Sequence, residues 1–421
     1  HIDKFKEDKM GNRPLEGIRV VEMATFIAAP CTARFLADLG AEVIKVEPPM
    51  GDPLRYTAVN EGRPLDQKEN TSYDLENAGK TCISLNTKSE EGREALEKLL
   101  ATADVFICNW RQSPLKRAGL DWETLHEKYP KLVYGYVSGY GEKGPDKDLP
   151  GFDFTAFYAR GGILGPLRDK NSLPMLTVQG FGDHQVAMNL AAGVLAALFK
   201  AKMTGEGDHV VVSLFHSAIW DISLMLQASQ YGADSTQYPM ERWKLGNPLV
   251  LCYETADGQW LQIAMPQYDR HYPILMNAMG YPELADDARY YPQKNLIPNR
   301  EEFSAWITAE FKKKTCDEWC KLLDANDLPY AIAQEWDSLL EDKQAWASDC
   351  FYEMSYSNGN KRTLVRPPVL FDQMGLPPYE RGPYLGEQTK DILGELGYSA
   401  EAIDELIKSG AAIDMDPALR D

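Results

Sequence analysis

Gly180-Phe181-Gly182-Asp183-His184 stands at the start of an Ala-rich run over residues 183–200. A carboxylate at a helix start has a structural use, because it can accept from an exposed N–H two or three residues on. It has a chemical use as well. The positive end of the helix dipole favours the ionised form and keeps it available as a nucleophile. The flanking glycines admit a substrate and leave backbone N–H groups free to stabilise an oxyanion. His184 beside it is a candidate general base. A second carboxylate, Asp153, follows Pro150-Gly151-Phe152 on a turn. Tyr140 lies in Ser138-Gly-Tyr-Gly-Glu-Lys-Gly-Pro145, the kind of strand-end loop where α/β proteins bind ligands. Lys80, Lys88, Arg111 and Arg117 bring positive charge to the ends of the early elements. Singly they read as solvated surface, and together they could hold phosphates.

Metal chemistry finds little support in the spacing. Cys316 and Cys320 are four apart, but no further Cys or His lies near them to complete a zinc site, so no metal is expected. Seven dispersed cysteines, Cys31, Cys82, Cys108, Cys252, Cys316, Cys320 and Cys350, point to reduced thiols in a cytoplasm.

The elements that must position these residues read as alternating strands and helices. Strands are expected at Gly17–Met23, Glu42–Glu47, Thr81–Leu85, Asp104–Cys108, Leu132–Val137 and Val210–Leu214, with helices at Pro30–Leu39, Ser89–Ala101 and Leu120–Lys128 between them. This alternation predicts an α/β protein with a doubly wound, Rossmann-like parallel sheet. The dinucleotide fingerprint is missing, however. The first strand-to-helix turn, Ala24-Thr-Phe-Ile-Ala-Ala-Pro30, holds no glycine where G-x-G-x-x-G would be needed. The expected organisation is a large domain over 1–220, a linker over 221–250 and a small α+β domain over 251–335. A return linker over 336–385 and C-terminal helices over 386–421 complete the large domain.

At 421 residues, two or three domains are expected. With 44% apolar and 25% charged residues the chain is ordinary globular material, neither disordered nor fibrous. Its formal charge of −19 argues against nucleic acid and anionic lipid as partners. The longest apolar candidate, Met188 to Phe199, is too short for a membrane span and is interrupted by Asn189. No secretory signal is expected, because the start, His-Ile-Asp-Lys-Phe-Lys, has no apolar core.

Taken in order, several segments resemble the class III coenzyme A transferases, the CaiB/BaiF family. They run from Pro14-Leu-Glu-Gly-Ile-Arg-Val-Val-Glu22 through Leu39-Gly-Ala-Glu-Val-Ile-Lys-Val-Glu47, Ala103-Asp-Val105 and Asn109. Ser138-Gly-Tyr-Gly141, Gly182-Asp-His184, Thr204-Gly-Glu-Gly207, Asp257-Gly258 and Leu385-Gly-Glu387 continue the match. The resemblance implies that Asp183 is a nucleophile forming mixed anhydrides and an aspartyl-CoA thioester, with Asp153 as an assisting carboxylate. It places CoA contacts on Ile27, Ala28, Leu85, Lys88, Asn109, Arg111, Arg117, Phe152 and Asp153, with Gly182 and His184 beside the nucleophile. It implies CoA thioester and carboxylic acid as substrates, no permanently bound cofactor, and an interlocked ring-like homodimer. The loops around 26–31, 139–145, 150–153 and 180–184 look most like the branch acting on (R)-2-hydroxy acids, the 2-hydroxyisocaproate and phenyllactate CoA-transferases of amino-acid fermentation. The alternatives are an α-methylacyl-CoA racemase, a CoA-ester hydrolase and an idle CoA-binding paralogue. Racemases of the family carry a His base where this chain has Phe152.

Overall fold

The computed structural model describes residues 13–232, 238–377 and 380–420. Twelve strands occur among them. They are β1 (Arg19–Met23), β2 (Glu42–Glu47), β3 (Thr81–Leu85), β4 (Val105–Cys108), β5 (Val133–Ser138), β6 (His209–Ser213), β7 (Cys252–Glu254), β8 (Trp260–Ile263), β9 (Tyr330–Ile332), β10 (Phe351–Ser355), β11 (Lys361–Val365) and β12 (Ala412–Ile413).

The chain divides into two compact units. The first takes the described residues up to Ile163, Leu176–Leu226 and those from Gln344 onward. Its centre is a seven-stranded sheet in the order β12-β3-β2-β1-β4-β5-β6, parallel except for β12, which runs antiparallel to β3. The order β3-β2-β1-β4-β5-β6 is that of a doubly wound sheet, which leaves a crevice where β1 and β4 diverge in direction of winding. The strands read as continuous apolar runs because helices cover both faces. The helix Phe181–Thr204 is by length and composition apolar enough to cross a membrane. Here it packs on the helix Ala28–Asp38 and on β5 and β6, and it carries Asp183 into the first unit. It starts earlier and runs longer than its alanine pattern suggested, because Gly180 and Gly205, both at positive φ, set its ends.

Two expectations need revision here. Lys80 is not solvated surface. Its side chain is buried, and Nζ donates to Glu22 Oε2 at 2.6 Å, Pro30 O at 2.8 Å and Asn77 Oδ1 at 2.9 Å. Glu22, buried on β1, calls for these cations from other segments. The stretch 336–385 also contains the antiparallel hairpin β10–β11. Its turn at Ser357-Asn358-Gly359 and its alternating burial were hidden by a Tyr- and Pro-rich composition, and Tyr352, Met354, Tyr356 and Leu364 form a small core of their own.

A buried pair braces the sheet behind β2. Arg55 forks onto Glu47 at 2.9 and 2.7 Å, and Tyr73 donates to the same carboxylate at 2.7 Å. Burial alone would raise Glu47, but Arg55 outweighs it and the carboxyl falls to about 2. A carboxyl held below its unfolded value stabilises the fold above the unfolded value, and that contribution disappears as pH falls through the folded one. Glu47→Gln is therefore expected to unfold about 3 kcal/mol more easily than the parent at pH 7. Urea titrations of both proteins should show the gap closing between pH 4.5 and about 2.

The second unit comprises Leu164–Met175 and the described residues of Gln227–Lys343. The antiparallel sheet β7-β8-β9 packs with the helices Tyr268–Met279, Arg300–Phe311 and Cys316–Asp324. Trp319 stacks on Phe311 in its core, 4.4 Å between rings.

Candidate functional site

Three strand-end loops of the first unit meet at the crevice beside β1 and β4. They bring together Thr25–Ala28 after β1, Asn109 and Arg111 after β4, and Tyr136–Gly139 at the end of β5. With Lys147, Leu149–Phe152, Leu214 and Asp183 they line a cleft of about 220 Å³. This is where a doubly wound sheet is expected to bind ligands.

The first loop is held from below by charge. Lys45 Nζ, fully buried, donates to Glu22 Oε1 at 2.6 Å and Ala24 O at 3.0 Å, and pairs with Asp52 at 3.0 Å. Asp52 in turn accepts from Phe26 N at 3.0 Å. Phe26 stands at φ 64°, a left-handed conformation that costs a non-glycine residue energy. Asn109 closes the loop from the other side. Its Oδ1 accepts from Thr25 N at 3.1 Å, and its Nδ2 donates to Thr25 O at 2.8 Å. Phe26 meets Phe152 edge to face, 5.9 Å between rings, so an aromatic pair stands at the cleft.

Asp183 does not cap its helix. Gly180 occupies the cap at φ 82°, and Asp183 projects from the first turn. Gly182 must be glycine for packing, because a Cβ there would lie 2.5 Å from the Phe157 ring. Asp183 has no hydrogen-bond partner among the described residues, and it faces the cleft. Its carboxyl is pushed up to about 7, chiefly by burial, then by the nearby carboxylates of Asp153 and Glu76, with His184 opposing. Asp153 is buried and committed. Its Oδ2 accepts from Gly180 N at 2.8 Å and its Oδ1 from Phe154 N at 2.7 Å, so it anchors the turn that presents Asp183.

His184 is also engaged. Its Nε2 lies 2.8 Å from Glu76 Oε1, a residue 108 positions away on the helix Thr71–Asn77. Burial disfavours the imidazolium, but Glu76 outweighs it and raises the His184 pKa. Glu76 carried no signal in the sequence. Only the packing of its helix beside the helix Ala28–Asp38 brings it near. Cys31, Glu76 and His184 offer ligand atoms within 4.8 Å of one another.

Of the residues singled out by the resemblance, Ile27, Ala28, Asn109, Arg111, Phe152 and Asp183 line the cleft. Gly182, His184 and Asp153 flank Asp183. Leu85 is 1% exposed and packs in the sheet core opposite Ala412, so its side chain is spent on packing. Lys88, exposed, and Arg117, which donates to Ser113 Oγ at 2.6 Å, lie outside the cleft lining. Lys147 lines it and was not singled out.

Residues 15–389 match the profile of CoA-transferase family III. The chain belongs to CoA-transferase family III. It is 52% identical to the cinnamoyl-CoA:phenyllactate CoA-transferase of Clostridium sporogenes over 93% of this chain and 95% of that one. It is 41% identical to the (R)-2-hydroxy-4-methylpentanoate CoA-transferase of Clostridioides difficile, over 93% and 97%. Among solved structures, a CAIB/BAIF family protein from Brucella suis superposes with a TM-score of 0.76 at 28% identity, over 92% of this chain and all of that one. The chain is thus a class III CoA-transferase, and its substrates as such are a CoA thioester and a carboxylic acid.

Proposed function

We propose that the chain moves CoA from an enoyl-CoA to an (R)-2-hydroxy acid, with Asp183 as the nucleophile. The observation that carries this reading is the Asp183 carboxylate, unpartnered at the first turn of a glycine-capped helix and facing a cleft at the winding reversal of the sheet. In the first step Asp183 attacks the thioester carbonyl. The C–S bond breaks, leaving a mixed anhydride and CoA thiolate. The thiolate then attacks the aspartyl carbonyl and expels the donor acid, giving an aspartyl-CoA thioester. The acceptor carboxylate attacks this thioester, releasing thiolate and forming the second anhydride. Finally the thiolate attacks the acceptor carbonyl, and Asp183 leaves as carboxylate. Covalent catalysis thus divides one hard exchange into easier ones and conserves the thioester. The N–H groups of the first helical turn have no intrahelical acceptor and are oriented to receive developing oxyanion charge. Asp153 keeps the Gly180 turn in place, and Arg111 with Lys147 supplies positive charge for the phosphates of CoA.

Phe26, Ile27, Leu149 and Phe152 give the cleft an apolar wall suited to an aryl or branched acyl chain, in line with the acceptors named for the two relatives. A donor-by-acceptor panel tests this. The expected kcat/KM for aryl and branched (R)-2-hydroxy acids exceeds that for oxalate or carnitine by at least about tenfold, the discrimination an apolar pocket can supply. A preference for oxalate or carnitine would remove the substrate assignment. The reading includes a homodimer, supported by exposed Phe199, Met203, Trp220 and Leu224. A one-chain mass in light scattering would remove that part.

A further inference from the structure

We propose that Cys31, Glu76 and His184 form a binding site for a divalent cation of the zinc class, behind Asp183. The three side chains come from three helices, Ala28–Asp38, Thr71–Asn77 and Phe181–Thr204, so the scaffold holding them is rigid. A thiol sulfur, a carboxylate oxygen and an imidazole nitrogen lie within 4.8 Å of one another. Tetrahedral zinc with sulfur near 2.3 Å and nitrogen or oxygen near 2.0–2.2 Å spaces its ligands by roughly 3.5 Å, within reach of side-chain rotation alone.

A second observation marks a missing partner. Glu76 is 2% exposed; Oε1 meets His184, the Cys31 thiol faces the same carboxylate, and Oε2 is buried with no other hydrogen-bond partner among the described residues. A buried carboxylate oxygen left so carries a substantial desolvation cost. Of the cations near it, Lys80 is committed to Glu22, Asn77 and Pro30 O. Arg34 donates Nη1 to Leu75 O and lies 3.4 Å from Asp38 through Nε, with no hydrogen bond to Glu76 among the described residues. A doubly charged ion would balance one thiolate and one carboxylate to neutrality, which suits a site whose Cys31 and Glu76 are buried while His184 opens to solvent. The ligand set selects the metal. Thiolate and imidazole favour zinc, cobalt or copper over magnesium and calcium. With three protein ligands, the fourth position stays open to water. On binding, the metal–sulfur bond replaces the S–H bond of Cys31 and that proton passes to solvent, while neutral His184 takes the metal on Nε2 and carries its ring proton on Nδ1; no electron changes hands.

The proposal does not rest on Asp183 being the nucleophile, and its test needs no turnover. Chelator-dialysed full-length protein is titrated with cobalt(II). One equivalent is expected to produce tetrahedral cobalt bands together with a thiolate-to-cobalt charge-transfer band, and zinc(II) is expected to bleach both. Cys31→Ser should abolish the charge-transfer band. Glu76→Gln, which preserves shape, should weaken cobalt binding by about tenfold or more. Cys316→Ser/Cys320→Ser should change neither, as that pair lies in the second unit. A band that survives Cys31→Ser in folded protein, a band lost in Cys316→Ser/Cys320→Ser, or the absence of stoichiometric binding by the parent would each overturn the site.

Discussion

Asp183→Asn loses CoA transfer by about ten-thousandfold or more in kcat, while circular dichroism and the thermal midpoint stay at or above those of the parent. The magnitude is that of removing a covalent nucleophile whose partners then have nothing to act upon. The fold is spared because Asp183 makes no hydrogen bond that the helix needs: Gly180 supplies the cap, and Asp153 secures it. Asparagine also removes a charge that burial and two carboxylates disfavour. Asp183→Ala should behave alike in turnover. Acyl-CoA and hydroxylamine should convert the Asp183 side chain of the parent to a hydroxamate, detected by peptide mass spectrometry, with none in either variant. Turnover near the parental rate in Asp183→Ala would end the covalent assignment.

Lys45→Met is expected to cost about 3–5 kcal/mol of stability, the range seen when one member of a buried ion pair is removed. Its ammonium is the shared partner of Glu22 and Asp52, all three buried. Burial works against the charged lysine, yet Glu22, Asp52 and Glu47 together raise its pKa. Without Lys45, Glu22 keeps only Lys80, and Asp52 loses the cation that orients it toward Phe26 N. The strained Phe26 backbone then loses support, and cleft geometry fails along with stability. Differential scanning calorimetry and urea titration measure the loss. Adding Glu22→Gln to Lys45→Met should restore part of it, since the coupling of neighbours is not additive. An unchanged midpoint in Lys45→Met would show that the network is dispensable.

Much of the fold was legible because it is local. Apolar runs of five or six residues separated by helical spacing read directly as a parallel sheet, and strand bounds at β1 to β6 shift by only a residue or two. Gly182-Asp183-His184 was legible for the same reason, since a glycine turn before an Ala-rich run specifies a helix start without help from elsewhere. The hairpin β10–β11 was less visible, because its small aromatic core lies in a Pro- and Tyr-rich stretch that reads as linker.

The sequence by itself therefore determined the alternation of strands and helices, the family, and the presence of an aspartate at a helix start. Only the tertiary structure decided what surrounds that aspartate. Glu76 reaches His184 across 108 residues and Asn109 reaches Thr25 across 84. Lys80 abandons the surface for Glu22 across 58. Side-chain periodicity reports which face of an element is apolar, but a charged residue's burial depends on a partner that the chain delivers from far away. In this protein those long-range electrostatic partners shape the cleft, and they exist only once the sheet has closed around them.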